Sequence, residues 1–295
     1  MRSKLLSLDS AAFPQISRRK DCRLCSSLEL SLEISVPHST IADTYCENAN
    51  TRALRYPLDL YQCRECGHVQ ALDILPLTLL FGNEYTYQPS RNPSLILHFD
   101  EYAQLVTLHA IGGTLKSLDI GSNDGLFLES LRSRSFQVLG VDPAEAAVRA
   151  AENRGITTIQ EFFTSDLAST ILSKYGHFSH VSANNVFAHN DDLAGFTEGI
   201  SKLLGDGGIF TFEISYFVDI VEKALIGTVF HEHLSHHSLL PLVPYLKRYN
   251  LHLIDAVKVN TQGGALIGVA VKGDSKRELS ERLKNILDHE HNIGT

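Results

Sequence analysis

A compact acidic and glycine-rich motif, Asp119, Gly121, Asn123 and Gly125, follows a short apolar run. Glycine lets the backbone pass close to a ligand where a Cβ atom would collide with it. Asp142 ends a second apolar run about twenty positions later, where a carboxylate can accept hydrogen bonds from both ribose hydroxyls of a nucleoside. The Gly-x-x-x-Gly spacing differs from the Gly-x-Gly-x-x-Gly of dinucleotide sites. Together these features predict a nucleoside-containing ligand, although Asp142 alone could simply cap the next helix.

Four of the five cysteines form two Cys-x-x-Cys pairs, and these are Cys22, Cys25, Cys63 and Cys66. Two such pairs are typical of structural zinc sites, in which four thiolates close a tetrahedral shell. Disulfides are disfavoured in a reducing compartment, and a redox site would need only one pair. The pattern therefore predicts structural zinc. We interpret Cys46 as an ordinary thiol and His68 as a residue that stabilises the fold.

A histidine-rich segment at residues 231–237 offers a candidate base. A histidine that is neutral near pH 7 is the usual general base, and a neighbouring carboxylate can orient it. We therefore predict that His233 is the base and that Glu232 orients it. A metal site remains an alternative, with His233 and His237 one helical turn apart. The segment is not a zincin motif, because Ser235 stands where the second histidine is required.

Two further pairs of residues follow predicted strands. Asn184 and Asn185 are poor strand formers at the carboxyl edge of the predicted sheet, where open α/β folds bind ligands. Phe162 and Phe163 follow the preceding strand, where an apolar side chain could contact an adenine ring or could equally belong to the core. We predict that all four residues line a cofactor site.

Alternating strands and helices position these residues. Apolar runs predict strands at 115–120, 137–142, 155–159, 175–183 and 203–213, with closing strands at 251–259 and 262–271 and helices at 95–109, 144–154 and 278–289. This alternation predicts an α/β fold with a mostly parallel sheet. We expect a leader at 1–20, a small zinc-binding domain at 21–70, a linker and lid at 71–110, an α/β domain at 111–272 and a final helix at 273–295.

The composition is that of an ordinary globular protein, with 43% hydrophobic and 20% charged residues. The formal net charge of −8 disfavours nucleic acid as the main partner, because phosphate binding requires a basic surface. No apolar run approaches the roughly 20 residues of a membrane helix. The apolar stretch near the N-terminus is too short for a signal peptide. We therefore expect a cytoplasmic protein without membrane partners.

The motifs together resemble the S-adenosylmethionine (SAM)-dependent C-methyltransferases that act on nucleotide-linked deoxysugars. The resemblance covers about residues 20–295 and includes both Cys-x-x-Cys pairs, Tyr85-x-Tyr87, the Asp119–Gly125 motif, Ala183-Asn-Asn-Val-Phe-Ala-His189 and His231-Glu-His233-Leu. It implies a Rossmann-like SAM methyltransferase domain behind the zinc-binding domain. The cysteine pairs combined with the last two motifs are its most specific part.

The resemblance also implies a reaction and residue roles. The substrate would be a small molecule such as a dTDP-4-keto-deoxysugar, which is methylated at C3 through an enolate. His233 would be the base, with Glu232, His189, Tyr85 and Tyr87 around the sugar. SAM would contact Asp119, Gly121, Asn123, Gly125, Asp142, Phe162, Phe163, Asn184 and Asn185. Zinc would remain structural.

This chain departs from the family at three places. Phe230 replaces a tyrosine before His-Glu-His, Ala265 replaces a serine after Gly-Gly, and the chain stops where the family's C-terminal domain is expected. Two alternatives therefore remain: a non-catalytic or truncated SAM-binding module, and a methyltransferase for a different small molecule. The acidic balance disfavours a third, an RNA methyltransferase. The oligomeric state stays open, with a monomer as one option.

Overall fold

The computed structural model describes residues 16–42, 54–81, 88–110, 114–273 and 277–294. Tyr85, Tyr87 and Cys46 lie outside the described residues. The elements of the described ranges are, in chain order, β1 (Ser17–Arg18), β2 (Leu30–Ile34), β3 (Leu60–Cys63), β4 (Val69–Ala71), β5 (Asp73–Ile74), α1 (Leu77–Leu80), α2 (Pro93–His109), β6 (Lys116–Ile120), α3 (Leu126–Arg132), β7 (Gln137–Val141), α4 (Glu145–Asn153), β8 (Thr158–Ile159), α5 (Ser165–Tyr175), β9 (Phe178–Asn184), α6 (Leu193–Leu203), β10 (Leu204–Ser215), α7 (Phe217–Glu222), β11 (Ser235–His236), α8 (Leu239–Lys247), β12 (Leu251–Val259), β13 (Ala265–Lys272) and α9 (Glu281–Ile293).

The main sheet has seven strands in the order β8-β7-β6-β9-β10-β13-β12. The five strands from β8 to β10 are parallel, whereas β13 runs antiparallel to both of its neighbours. This architecture confirms the predicted α/β fold with a mostly parallel sheet. The strand order reverses between β6 and β9, and open α/β folds bind their ligands at the carboxyl ends of the strands beside such a reversal.

The centre of the main sheet is buried on both faces, yet it contains a polar bridge. His180 of β9 is fully buried and lies 2.8 Å from the Ser117 hydroxyl on one side and 2.8 Å from the Thr211 hydroxyl on the other. These hydrogen bonds link β6, β9 and β10 through their side chains. Because both ring nitrogens have partners, the sheet accommodates the imidazole without leaving a polar atom unpaired.

A second sheet joins the N-terminal part of the chain to the histidine-rich segment. Its order is β11-β4-β3-β2, and Ser235 and His236 of β11 pair antiparallel with Gln70 and Val69. The prediction that His233 and His237 lie one helical turn apart is therefore wrong, because the segment between them is an extended edge strand.

The predicted element bounds differ from the observed ones mainly at turns. The strand predicted at 175–183 begins only at Phe178, because α5 extends to Tyr175 and ends at Gly176 with φ of +71°. The helix predicted at 278–289 begins at Glu281, since the Ser280 hydroxyl accepts a hydrogen bond from the Leu283 amide and caps the first turn. In both cases a local cap decides the boundary.

The final helix is anchored by a buried carboxylate. Glu290 of α9 is 0% exposed and accepts hydrogen bonds from the amides of Leu239 and Leu240, at 2.8 and 2.7 Å, in the first turn of α8. It also accepts a hydrogen bond of 2.8 Å from the Tyr216 hydroxyl. These donors would otherwise remain unpaired inside the protein, so α9 is an integral part of the α/β unit.

We expect Glu290→Ala to lower the free energy of unfolding by about 2–4 kcal/mol, because it leaves buried donors without an acceptor. Chemical denaturation measures this change. Glu281→Ala on the exposed face of the same helix is the control, since it removes a surface pair with Lys284 and should leave the free energy of unfolding close to the wild-type value. Equal losses in the two variants would contradict the anchoring role.

Candidate active site and cysteine site

A cavity of about 680 Å³ opens at the carboxyl ends of the central strands. It brings together most of the residues predicted to bind a cofactor or to act on a substrate: Asp119, Gly121, Asn123, Asp142, Phe162, Phe163, Asn184, Asn185, His189, Glu232 and His233. Gly125 is not part of its wall. The cavity therefore connects the glycine turn (residues 121–125) with the histidine-rich segment (residues 231–237), which is far from it in sequence.

The glycine turn folds tightly against the next loop of the sheet. Gly121 has φ of +70°, and a Cβ atom there would lie 2.3 Å from the Val186 side chain. This position therefore requires glycine for both its conformation and its space. Gly125 also has a positive φ, of +75°, but a Cβ atom there would meet Ile156 and Ala151 rather than the cavity. Gly125 thus serves the packing of α3 instead of lining the pocket.

Asp142 directly follows β7 and ties the glycine turn to the end of that strand. Its Oδ2 accepts a hydrogen bond of 2.9 Å from the Asn123 amide, and its Oδ1 accepts one of 2.9 Å from the Ala144 amide. Burial raises the pKa of this carboxyl group, whereas the two amide bonds oppose that shift. Each carboxylate oxygen retains a lone pair for a ligand hydroxyl. Asp142 is therefore both a structural cap and an available acceptor.

Asp119 presents a second carboxyl group to the cavity. It is 3% exposed, and its Oδ1 accepts hydrogen bonds from the Ser182 hydroxyl at 2.7 Å and from the side-chain amide (Nδ2) of Asn184 at 3.2 Å. Burial raises its pKa to about 7. A bound cation would favour the ionised form, because an opposite charge lowers the pKa of a carboxyl group.

The two phenylalanines after β8 have different environments. Phe163 is 9% exposed and packs edge-to-face on Phe196, with 5.2 Å between the ring centroids. Phe162 is 39% exposed and lines the cavity. Phe162 is thus the more accessible of the two for a ring of a ligand, and Phe163 is largely a core residue.

His233 is held in one tautomer. It is 4% exposed, and its Nδ1 lies 2.7 Å from the carbonyl oxygen of Thr228. A carbonyl oxygen only accepts, so Nδ1 carries the proton and the lone pair of the neutral ring lies on Nε2. Burial lowers the pKa of His233 to about 4, so the ring is neutral at pH 7. A backbone carbonyl, rather than the predicted Glu232 carboxylate, is therefore the acceptor for Nδ1.

Aromatic rings surround His233. The His189 ring stacks on it with 5.1 Å between centroids, and Phe81 stacks on His189 at 5.6 Å. Phe230 lies closer still, with its ring centroid 4.0 Å from that of His233. Burial places the pKa of His189 well below its usual range. These apolar neighbours keep both imidazoles neutral.

A buried carboxylate in the cavity wall was missed by the sequence reasoning. Glu213 lies near the carboxyl end of β10 and is 1% exposed. Its Oε2 lies 2.7 Å from His98 Nε2 on α2, and its Oε1 accepts a hydrogen bond of 2.6 Å from the Thr261 hydroxyl. An acidic residue at the carboxyl end of a predicted central strand was the available signal. The partner on α2 could not be inferred from spacing.

The four predicted metal ligands come together in the N-terminal part of the chain. The Sγ atoms of Cys22, Cys25, Cys63 and Cys66 all lie within 4.8 Å of one another. Neighbouring sulfurs are 3.6 Å apart for Cys22 and Cys66, and 3.5 Å apart for Cys25 and Cys63. Four thiolates at about 2.3 Å from a tetrahedral zinc ion would be about 3.8 Å apart, so this donor set fits zinc.

Within the described ranges, the cysteines are the only group of three or more metal-ligating side chains close enough to share an ion. The histidine-rich segment therefore does not form such a site there. His68 lies outside the cysteine group and contacts the Ser235 hydroxyl at 3.2 Å, in agreement with a role in the fold. None of the helices in the described ranges has the length and apolar character that a membrane crossing needs.

We expect Cys63→Ser to lose the metal and much of the stability of the N-terminal sheet, because binding of a structural zinc contributes on the order of 10 kcal/mol to folding. Elemental analysis should show about one zinc per chain in the wild type and almost none in the variant. The melting temperature should fall by at least about 10 °C. Cys46→Ser is the matched control, and an equal zinc content in the two variants would contradict this assignment.

Two segments of the chain match known protein families. Residues 118–210 match the family described as "Methyltransferase domain", and residues 22–81 match the family described as "Putative zinc binding domain". The first match covers the strands that carry Asp119, Asp142 and Asn184, and the second contains all four clustered cysteines. The chain therefore contains a methyltransferase domain preceded by a segment of a zinc-binding family.

The chain is also similar to individual proteins. The chain is 29% identical over 279 residues to "C-methyltransferase NovU" of Streptomyces niveus, and the match covers 93% of this chain and 66% of that protein. The magnesium protoporphyrin IX methyltransferase of Synechocystis PCC 6803 is a structural neighbour with a TM-score of 0.47 and 16% identity, over 60% of this chain and 83% of the other. A SAM-dependent methyltransferase of Clostridium acetobutylicum ATCC 824 gives a TM-score of 0.48 and 15% identity, over 61% and 92%.

Proposed function

We propose that this chain is a SAM-dependent C-methyltransferase in which His233 removes a proton from carbon. The observation that carries the proposal is the cavity itself. The cavity joins the glycine turn at Gly121 and the Asp142 carboxylate, both suited to a nucleoside, to the neutral ring of His233, whose lone pair lies on Nε2. The similarity to a C-methyltransferase over 93% of this chain supports the same reaction class.

The chain's own residues suit the parts of SAM. Asp142 would accept the ribose hydroxyls, and Phe162 would contact the adenine ring. Gly121 would let the backbone approach the ligand, and Asp119 would face its positively charged end. Asn184 and Asn185 lie at the same edge of the sheet. Bound SAM would supply an electrophilic methyl group on a sulfonium.

His233 would supply the base chemistry. Its Nε2 would take a proton from a carbon next to a carbonyl group, and the electron pair of that C–H bond would pass into an enolate. The enolate carbon would then form a bond to the methyl group while the methyl–sulfur bond breaks and its electrons remain on sulfur. The Thr228 carbonyl would stabilise the imidazolium through Nδ1–H. A positioned base of this kind contributes about 10²–10⁴-fold to the rate.

For the substrate we propose a nucleotide-linked 4-keto-deoxysugar that is methylated at C3. Its ketone would make the neighbouring proton acidic enough for a buried histidine. His189 and Glu232 line the cavity beside His233 and would contact the sugar. Tyr85 and Tyr87 remain predicted sugar contacts. Phe230 provides an apolar wall where a tyrosine hydroxyl is expected from the resemblance, so this enzyme would bind its sugar without that hydrogen bond.

Calorimetry with SAM, followed by a turnover assay with dTDP-4-keto-deoxysugars, tests the proposal. We expect SAM to bind at micromolar concentration and the product to carry a new C-methyl group. Asp142→Ala should weaken SAM by about 10–100-fold, because it removes a charged acceptor for two hydroxyls. Failure of SAM to bind the wild type would exclude the methyltransferase function. SAM binding without turnover across the substrate panel would favour a non-catalytic SAM-binding module.

A further inference from the structure

Arg23 occupies an unusual position between the two cysteines of the first pair. Its side chain is 0% exposed, although it lies in a short turn at the edge of the N-terminal sheet. Arg64 occupies the same place in the second pair, and its side chain is 61% exposed and pairs with Glu33. Of the two arginines, only Arg23 is directed into the protein.

The Arg23 guanidinium reaches the strand that follows His233. Its Nη1 donates to the carbonyl oxygen of Ala71 at 2.6 Å and to that of Leu234 at 3.2 Å. The Leu234 carbonyl also accepts a hydrogen bond of 3.0 Å from the Ala71 amide. Leu234 is the residue directly after His233, so these bonds fix the backbone beside the proposed base.

The other edge of the guanidinium holds the loop that carries His189. Arg23 Nε donates to Asp191 Oδ1 at 3.1 Å, and Asp191 lies two residues after His189. Arg19 donates to the Asp191 carbonyl oxygen at 2.9 Å and thus holds the same loop. One buried side chain therefore contacts both segments that bring imidazoles into the cavity.

We infer that Arg23 is a positioning residue that couples the four-cysteine site to the geometry of His233 and His189. This inference rests on the function proposed above. A metal ion at the cysteines would fix the backbone of Cys22 and Cys25, and that backbone would fix the origin of the Arg23 side chain. Arg23 itself does not line the cavity. Its effect reaches the reaction only through the backbone at Leu234 and Asp191.

The chemistry of arginine suits this task. Its planar guanidinium presents five donors in a fixed fork, so it can bind acceptors on two segments at once and set the distance between them. Lysine offers a single flexible ammonium group and would hold one segment at most. A displacement of about 1 Å at a reacting group can reduce a rate by about 100-fold, so small movements at Leu234 would matter.

The test compares Arg23→Met with the matched variant Arg64→Met. We expect Arg23→Met to lower kcat by about 10–100-fold while zinc content and SAM affinity stay within about twofold of the wild type. Arg23→Lys should recover only part of the loss, and Arg64→Met should behave like the wild type. Unchanged kcat in an Arg23→Met protein that binds zinc and SAM normally would overturn the inference.

Hydrogen exchange provides a readout that does not depend on turnover. The His233 amide donates to the Phe230 carbonyl at 3.0 Å, and we expect the 228–237 segment to exchange at least about tenfold faster in Arg23→Met than in Arg64→Met. Equal exchange would overturn the inference even if the wild type proved inactive. Inactivity of the wild type would count against the proposed function alone.

A third variant covers the case in which Arg23→Met does not fold. Asp191→Asn removes the negative charge of the partner of Arg23 at a residue far from the cysteines in sequence; the Asp191 side chain is 41% exposed and lines the cavity. We expect a lower kcat with zinc and SAM binding intact. A normal kcat and normal exchange in the 186–192 loop would overturn the coupling to His189.

Discussion

Methyl transfer should fall by about 10²–10⁴-fold in His233→Ala, because the variant removes the proton acceptor from the cavity. The affinity for SAM should stay within about threefold of the wild type, since Asp119, Asp142 and the glycine turn are unaffected. The measurement is single-turnover methyl transfer from labelled SAM, with calorimetry of SAM binding beside it. His291→Ala, an exposed histidine on α9, is the control and should retain full activity.

The pH dependence of the same assay provides a second criterion. Burial lowers the pKa of His233 to about 4, so the ring is in its basic form throughout the range from pH 6 to 8. Protonation of His233 should therefore cause no loss of rate as the pH falls from 8 to 6. With SAM at saturation, which favours ionised Asp119, a rate that falls in that range with an apparent pKa near 6.5 would contradict a buried base. Normal turnover in His233→Ala would remove His233 from that role.

The sequence predicted those parts of the site that depend on local pattern. Asp119 and Asp142 each end an apolar run, and parallel strands place such ends at one edge of a sheet, so their proximity could be anticipated. The two Cys-x-x-Cys pairs implied a shared metal, and their sulfurs do lie together. In each case a short spacing carries the geometry, so no knowledge of distant contacts was needed.

Contacts between distant segments could not be predicted in this way. The strand at Ser235–His236 pairs with β4, which lies more than 160 residues earlier, and no periodicity in the sequence marks a two-residue strand. Ser235 and His236 lie far outside the predicted zinc-binding domain, yet they form the edge strand of its sheet. The domain bounds at 21–70 and 111–272 remain predictions. One sheet contains strands from both of these predicted domains.

The hydrogen-bond acceptor of His233 Nδ1 could not be predicted from the sequence either. A carboxylate adjacent in sequence suggested Glu232, yet Nδ1 contacts the carbonyl oxygen of Thr228. His231 and Glu232 lie in a turn, in which the His233 amide donates to the Phe230 carbonyl at 3.0 Å, so the path of the backbone decides which acceptor the imidazole reaches. The pairing of Glu213 with His98 was missed for a different reason, because it requires the docking of α2 over the sheet.

Buried histidines should make the fold sensitive to mild acid. Burial lowers the pKa to about 4 for His233 and to about 3 for His180, His236 and His237. In the unfolded chain these rings would titrate near 6.5, so the unfolded state binds more protons below that pH. Stability therefore rises with pH in this window and is lost as the pH falls from about 6.5 towards 4.

The expected loss is large. Between pH 7 and pH 5, each such histidine shifts the balance towards the unfolded state by about 2 kcal/mol. Four of them together approach the whole stability of a typical domain, which is about 5–15 kcal/mol. Denaturation monitored at pH 7, 6 and 5 should therefore show a steep decline in the free energy of unfolding, with unfolding close to pH 5.

His236→Phe separates this effect from general acid lability. In the described part of the chain, neither ring nitrogen of His236 has a hydrogen-bond partner, so phenylalanine removes the titrating group without breaking a bond. We expect the variant to lose about 2 kcal/mol less than the wild type between pH 7 and pH 5, whereas His291→Gln should follow the wild type. Identical acid profiles for all three proteins would contradict the argument.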